Sequence, residues 1–178
     1  VGAIDLPGND LGNRLTGSAG RNDLSGGGGS DTLAGAGGND TLRGGDGADI
    51  FSVVGDGDLD TINGGAGIDR IQGSAFADVI RVSNGNITNV EEIDGGDGTD
   101  VIRGTSANDV MDLSGFVLTS IESIDGAAGN DTITGTSGAD FIIGGSGTDT
   151  LSGGDGADIF SVAGDGDFDT INGGAGLD

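Results

Sequence analysis

A nine-residue repeat runs through almost the whole chain and limits what it can fold into. Residues 26–52 show it most clearly, reading GGGGSDTLA, GAGGNDTLR and GGDGADIFS. Counted from the first glycine of each block, the sixth place holds an Asp and the eighth place holds a large apolar residue. Repeats this short cannot bury a core individually, so successive blocks have to stack on one another.

Each block divides into a turn and a short strand. Glycine adopts positive φ angles and allows close backbone approach, which suits the first places to a tight turn. The last three places read polar, apolar and polar, the pattern of a minimal strand with one side chain pointing inward. Two blocks then make one flattened coil, and coils stack into parallel sheets about 4.8 Å apart. The predicted fold is all-β: a parallel β-roll, or β-solenoid, of stacked nine-residue repeats.

The repeat divides the chain into a short leader, residues 1–7, and a single array, residues 8–178. Within the array, residues 153–178 nearly copy residues 44–69, which indicates segmental duplication. The final block, 173–178, stops after its sixth place. We therefore expect the array to be a fragment of a longer protein.

Two thirteen-residue units, 82–94 and 113–125, interrupt the nine-residue repeat. The end of each unit follows the repeat again, with Glu91 and Glu122 in the sixth place. We interpret each unit as one block with four inserted residues, and we expect irregular coils there.

The predicted core is a single ladder of eighth-place side chains. One apolar residue per block buries little surface, so this core is weak. Its members are Leu33, Leu42, Phe51, Ile62, Ile71, Ile80, Ile93, Ile102, Met111, Ile124, Ile133, Ile142, Leu151, Phe160 and Ile171.

Charge adds a second difficulty for the stacked coils. Asp and Glu total 30 against 6 Arg, which gives a net charge of −24. Such a chain repels nucleic acid and anionic membrane surfaces and attracts cations. No apolar run is long enough to span a bilayer, so we expect no membrane insertion by this segment. Stacking also places the sixth-place carboxylates above one another, where they repel.

Calcium ions between the turns would resolve both difficulties. Ca²⁺ takes six to eight oxygen ligands and accepts a mixture of carboxylates and backbone carbonyls. Mg²⁺ demands a tight octahedron and keeps its waters, and transition metals prefer His or Cys, which this chain lacks. The sequence therefore predicts several Ca²⁺ ions as its cofactors.

The blocks GGGGSDTLA, GGDGADIFS and GGSGTDTLS resemble the GGxGxDxUx nonapeptide of the RTX (repeats-in-toxin, haemolysin-type) proteins, where U is a large apolar residue. The resemblance extends over nearly the whole chain. It implies a right-handed parallel β-roll that folds when calcium binds. It also implies a bacterial protein exported by type I secretion, so the expected location is extracellular or on the cell surface.

The resemblance further implies which residues bind calcium. The expected stacked pairs, two blocks apart, are Asp31 with Asp49, Asp131 with Asp149, and Asp140 with Asp158. The carboxylate ligands would be Asp31, Asp40, Asp49, Asp60, Asp69, Asp78, Asp100, Asp109, Asp131, Asp140, Asp149, Asp158, Asp169 and Asp178. Residues of the first four places would complete the sites, at Gly27, Gly29, Gly35, Gly37, Gly44, Gly45, Asp46, Gly47, Gly64, Ala66, Gly135, Ser137, Gly144, Ser146, Gly153 and Asp155.

Several blocks depart from the family pattern. Asn13 and Asn22 replace the sixth-place Asp and remove its charge. Phe76 and Ala107 stand in the fourth place, where the family prefers glycine, so weaker sites are expected in their blocks. The glutamates of the two thirteen-residue units are expected to leave gaps in the rows of calcium ions.

Other interpretations explain less of the sequence. Asp also forms turns without a metal, although Asn and Ser do so without adding charge. Thr105, Asn108 and Thr136 would fit the flat Thr/Asn face of an ice-binding solenoid, but most blocks lack such residues. Without His or Cys, the chain has no Ser-His-Asp triad, thiol nucleophile or HExxH zinc site, so we expect no enzyme.

The expected function is that of a calcium-binding module, disordered without calcium and folding on calcium binding outside the cell. Two alternatives stay open: a repetitive structural or adhesive segment of an S-layer or adhesin, and the non-catalytic appendage of a secreted enzyme. Expected partners are calcium ions and, through self-assembly or domain contacts, other parts of the parent protein.

Overall fold

The computed structural model describes residues 4–53, 57–162 and 167–178; the openings of two blocks, 54–56 and 163–166, lie outside this range. The described residues form twenty strands and no helix, so no helix that would cross a bilayer is found among them. The strands are β1 Asp5–Asn9, β2 Arg14–Thr16, β3 Asp23–Gly28, β4 Thr32–Ala34, β5 Thr41–Asp46, β6 Ile50–Ser52, β7 Thr61–Ala66, β8 Arg70–Gln72, β9 Val79–Arg81, β10 Ile87–Thr88, β11 Glu92–Asp94, β12 Val101–Arg103, β13 Val110–Asp112, β14 Val117–Thr119, β15 Ser123–Asp125, β16 Thr132–Thr134, β17 Phe141–Ile143, β18 Thr150–Asp155, β19 Ile159–Ser161 and β20 Thr170–Ala175.

These strands pair in parallel and form four sheets. Sheet 1 has the order β1-β3-β5-β7-β10, and sheet 2 has the order β2-β4-β6-β8-β11-β14. Sheet 3 runs β9-β12-β15-β17-β19, and sheet 4 runs β13-β16-β18-β20. Pairing keeps the block register, since Leu33 lies between Leu15 and Phe51, all three in the eighth place. The chain is therefore a parallel β-solenoid of about eight coils, which confirms the predicted fold class.

The number of residues per coil changes along the solenoid. Stacked sixth-place residues are 18 positions apart at Asp31 and Asp49. They are 20 apart at Asp49 and Asp69, where two extra residues are accommodated. They are 22 apart at Asp78 and Asp100, where the coil includes a thirteen-residue unit. The insertions are absorbed between the stacked places and leave their register intact.

The two thirteen-residue units each contribute an additional strand. β10 lies in the unit 82–94 and stacks on β7, whereas β14 lies in the unit 113–125 and stacks on β11. The middle coils therefore carry strands of three sheets, and the coils at either end carry strands of two. Sheet 2 stops at β14, and sheet 3 continues beside sheet 4. The units widen the solenoid without interrupting it.

The eighth-place side chains form the core, as predicted. Those from Leu33 to Leu151 have exposures of 0–2%. Phe160 is only partly buried and Ile171 is 45% exposed, so the predicted ladder weakens in the last coils. The thirteen-residue units add four further buried apolar residues: Val82, Ile87, Val90 and Leu113.

The segment 1–7, expected as a leader ahead of the array, contributes its last three residues to the first coil. β1 begins at Asp5 and pairs in register with β3, so that Leu6 lies opposite Leu24. Leu6 packs against the core as an eighth-place residue does.

Arginines relieve some of the negative charge at the strand edges. Arg103 lies 3.1 Å from the carboxylate of Asp125, and Arg70 lies 3.6 Å from that of Asp94. These pairs are partly exposed, so each adds about 0–1 kcal/mol of stability. The sixth-place carboxylates need another source of positive charge.

Candidate metal centre

The sixth-place side chains stack in rows, coil upon coil, and link the coils through hydrogen bonds. The backbone N–H of Asp31 donates to Oδ1 of Asp49 at 2.8 Å, and the N–H of Asp49 donates to Oδ1 of Asp69 at 2.8 Å. Each carboxylate therefore holds the preceding coil through one oxygen. The same bond joins the other pairs expected from the spacing, Asp131–Asp149 and Asp140–Asp158, at 2.8 and 2.9 Å.

Most of the sixth-place side chains are buried although they are ionisable. The exceptions are in the last coil, where Asp169 is half-buried and Asp178 is exposed. The buried members, with exposures of 0–8%, are Asp31, Asp40, Asp49, Asp60, Asp69, Asp78, Asp100, Asp109, Asp131, Asp140, Asp149 and Asp158, together with Asn22.

Many of these buried carboxylates have a second oxygen without a hydrogen-bond partner. Leaving such an atom buried and unpaired costs about 1–3 kcal/mol, and more when it carries charge. Native proteins contain few such atoms, so a row of them indicates a place where a ligand would bind. Among the described residues, these second oxygens include Oδ2 of Asp31, Asp40, Asp49, Asp69, Asp100, Asp131 and Asp158.

The position of this second oxygen explains the glycine in the first place. At Gly26, an added Cβ would lie 2.1 Å from Oδ2 of Asp31 and 2.6 Å from the carbonyl oxygen of Gly44 in the next coil. Two oxygens from consecutive coils therefore converge on the space that the missing side chain leaves. Oxygen atoms of this kind, one carboxylate and one carbonyl, are the ligands that Ca²⁺ prefers.

Asn22 shows which further oxygens meet between two stacked turns. Its Nδ2 donates to the carbonyl of Ser18 at 2.9 Å, to that of Gly35 in the next coil at 3.1 Å, and to that of Gly20. The same nitrogen lies 2.9 Å from Oδ1 of Asp40. Three carbonyl oxygens and one carboxylate oxygen thus surround one amide nitrogen, whose two hydrogens they share. Four oxygens around one point are also a set of ligands that would suit a small cation.

The electrostatics of the rows favour a cation or a proton. Burial raises the pKa of Asp131 to about 6; the N–H of Asp109 opposes this shift, and the charges of Asp149 and Asp109 add to it. Burial likewise raises the pKa of Asp49 and Asp69. The charged carboxylate is therefore less stable in these turns than in water.

The structure separates the residues of the first four places that were expected as ligands. The first-place glycines are buried beside the carboxylates, and the third-place residues are more exposed. The third-place carbonyls of Ala66 and Ser146 already accept backbone bonds from Gly47 and Gly129 at 2.7 and 2.9 Å. The sequence alone did not distinguish these places. It also did not reveal that some second-place residues donate hydrogen bonds to the sixth-place side chain, as Thr136 does to Asp140. The Ser, Thr and Asn residues in that place were the available signal.

The glutamates of the thirteen-residue units join the rows. Oε2 of Glu91 accepts the N–H of Asp69 at 2.8 Å, and Oε2 of Glu122 accepts the N–H of Asp100 at 2.5 Å. Their longer side chains therefore reproduce the link between coils, although the turns around them lack the glycine pattern.

Among the described residues, no three carboxylates come together, so the converging oxygens are pairs of carboxylates with backbone carbonyls. The profile of the RTX calcium-binding nonapeptide repeat matches residues 7–42, 25–53, 35–71, 63–86, 91–115 and 125–160. These matches extend over most of the chain and include most of the stacked carboxylates and parts of the two thirteen-residue units. A comparison with curated proteins finds no match.

Proposed function

Because the chain belongs to the RTX calcium-binding nonapeptide repeat family, we propose that it is the calcium-binding module of a secreted or cell-surface bacterial protein. The observation that supports this function most directly is the row of buried carboxylate oxygens without partners. A divalent cation bound between consecutive turns would neutralise two stacked carboxylates and accept lone pairs from the carbonyls around them.

The ligand set combines two observations. Beside Gly26, Oδ2 of Asp31 and the carbonyl oxygen of Gly44 in the next coil converge. By their places in the block, Gly27, Gly29 and Asp49 correspond to the residues whose oxygens surround the Asn22 amide, and they would supply further oxygens once the turns close on an ion. All of these donors are hard oxygens, which favours Ca²⁺ over transition metals. The number of donors and the flexibility of glycine turns favour it over Mg²⁺.

Calcium binding would then contribute directly to folding. The ligand set is assembled only when the coils stack, so the binding free energy stabilises the folded state alone. At the low calcium concentration inside a cell, the repelling carboxylates would keep the chain extended. At the millimolar concentration outside, the rows would fill and the solenoid would form.

Small-angle X-ray scattering with calcium counting tests this function. An unfolded chain of this length has a radius of gyration of about 45 Å, and a compact chain has one of about 16 Å. We expect the chelator-treated protein to lie near the first value and the calcium-loaded protein near the second, with several ions bound by equilibrium dialysis. A compact chelator-treated protein that binds no calcium would contradict the proposal.

A second candidate is a repeated structural segment of a larger surface protein. The near-identity of residues 44–69 and 153–178 supports it, because the described parts of both copies form the same succession of strands. Calcium-dependent assembly would favour this alternative. Light scattering at increasing protein concentration, with and without calcium, distinguishes it from a module that stays monomeric.

A further inference from the structure

The turns of the solenoid have two backbone conformations, which differ at the second place. We call a turn open when its second-place residue has a positive φ, as Gly145 does with 102°. We call a turn sealed when neither its second nor its fourth place has a positive φ; the second place of these turns holds Asn, Ser or Thr. The sealed turns in the described part of the chain are 8–13, 17–22, 73–78, 104–109 and 135–140.

In a sealed turn, the second-place residue donates to the sixth-place side chain of the same turn. The N–H of Thr136 lies 2.7 Å from Oδ2 of Asp140, and the Thr136 hydroxyl lies 3.0 Å from the same oxygen. Thr105 and Asp109 repeat both contacts at 2.5 and 2.9 Å. The N–H bond also joins Ser74 to Asp78, Ser18 to Asn22, and Asn9 to Asn13, at 2.6, 3.2 and 2.8 Å.

These contacts satisfy the oxygen that open turns leave unpartnered. Hydrogen bonds to a carboxylate stabilise its charged form. At Asp140, burial raises the pKa of the carboxyl group, and the two bonds from Thr136 oppose that rise. In the described residues, every unpartnered Oδ2 belongs to an open turn. Asp78, in a sealed turn, leaves only its Oδ1 unpartnered, because its strand β9 is the first of sheet 3 and no coil precedes it in the row.

Four of the five sealed turns among the described residues stand where rows begin. Asn13 and Asn22 head the rows that continue through Asp31 and Asp40. Asp78 heads the row that continues through Asp100. Asp109 likewise heads the row that continues through Asp131, since β13 is the first strand of sheet 4. The sealed turn of Asp140 lies within the row of sheet 3, where it follows the coil of Glu122 and precedes Asp158.

Protein groups also fill the space next to two of these turns. At one row start, the Asn22 amide donates to carbonyl oxygens of two consecutive coils, those of Ser18 and Gly35. At another, the Arg81 guanidinium donates to the first-place carbonyl of Gly104, and the Ser83 hydroxyl donates to Oδ1 of Asp109. Positive or hydrogen-donating side chains thus stand where a row would otherwise need an ion.

We infer that the second-place residue decides whether a turn requires calcium. Sealed turns close without metal and give each row a first turn on which ions and open turns can assemble. This inference rests on the proposed calcium binding and limits it to the open turns. It also accounts for Phe76 and Ala107, since the sealed conformation does not need glycine in the fourth place.

Two blocks of similar sequence provide a matched test. The sealed turn 135–140 reads GTSGAD and the open turn 144–149 reads GGSGTD, so they differ at the second and fifth places. Thr136→Gly converts the first four residues of the sealed turn into those of the open one. We expect this variant to bind one more calcium ion than the wild type and to lose ordered structure in chelator. The reverse change, Gly145→Thr, would place a Cβ 2.2 Å from the carbonyl of Ala127 in the open conformation, and we expect it to bind one ion fewer.

Two controls separate sealing from general effects. Thr136→Ser keeps the N–H and the hydroxyl, so its calcium count and its structure in chelator should match the wild type. Thr132→Gly makes the same replacement at an exposed strand position and should leave the calcium count unchanged. Counts are measured by equilibrium dialysis, and structure in chelator by amide hydrogen exchange.

The possible results are distinguishable. Equal calcium counts in wild type and T136G, or failure of T136G to fold in saturating calcium, would overturn the inference while the proposed function stands. A wild-type chain that takes up no calcium would overturn the proposed function and, with it, the premise of the inference.

Discussion

The backbone N–H of Asp131 lies 2.8 Å from Oδ1 of Asp149, one coil further along the solenoid. Through this bond, an acidic side chain both links two coils and adds charge between them. The link stabilises the stack, whereas the buried charge opposes it unless a cation or proton is bound. The balance between these two effects underlies the predictions that follow.

Replacing Asp149 by Ala should destabilise the calcium-loaded protein. The change removes the acceptor for the Asp131 N–H, and a hydrogen bond to a charged group contributes about 1.5–3 kcal/mol. Asp97→Ala is the control, because Asp97 is an exposed third-place residue and surface changes stay within about 0.5 kcal/mol. Urea unfolding in calcium measures both variants, and equal losses would contradict the structural role of the sixth place.

Lowering the pH should increase the order of the calcium-free protein. The pKa of Asp131 rises from 3.8 to about 6 in the fold, so between these values the folded state binds more protons than the unfolded state. Stability therefore falls as the pH rises through this window, and the full loss is present above it. Circular dichroism in calcium-depleted buffer should show more β structure at about pH 5 than at about pH 7. Less β structure at the lower pH would contradict the raised pKa.

Removing a core side chain from the middle coils should cost about 2–5 kcal/mol. Ile102 is fully buried, so Ile102→Ala leaves a cavity in the eighth-place ladder. Ile68 is 72% exposed, and Ile68→Ala makes the same change outside the core. Denaturant midpoints in saturating calcium compare the two variants, and a similar shift in both would show that the ladder is not the core.

Glu91 should act as a structural link without adding a calcium site. Glu91→Gln keeps an oxygen for the Asp69 N–H, so only a small loss of stability is expected. Glu91→Ala removes that acceptor and should cost about 1.5–3 kcal/mol, with an unchanged calcium count. Calorimetric titration of both variants checks the count. A calcium ion lost in the alanine variant would show that the thirteen-residue unit belongs to the metal-binding rows.

The stacked architecture and its core follow from local sequence. A polar-apolar-polar triplet presents one side chain inward, and a constant spacing brings equivalent triplets such as those of Leu33 and Phe51 together in adjacent coils. Sixth-place neighbours such as Asp31 and Asp49 follow from the same spacing. For these features, periodicity alone determines which residues meet.

Two features depend on more than periodicity. The middle coils are wider because β14, in the unit 113–125, pairs with β11 of the preceding coil. The spacing of the repeat does not predict this pairing. The sealed turns depend on a second-place N–H turned toward its own sixth-place side chain, as at Thr136 and Asp140. The sequence signal was present as Ser, Thr or Asn in the second place, but its meaning requires the backbone angles.

Far-UV circular dichroism during a calcium titration of chelator-stripped protein tests the calcium dependence of this fold most directly, with magnesium as the control. The buried, unpartnered carboxylates predict a cooperative gain of β signal with calcium and none with magnesium at the same concentration. A full β signal before any calcium is added, or an equal response to magnesium, would show that the turns and the apolar ladder suffice without the ion.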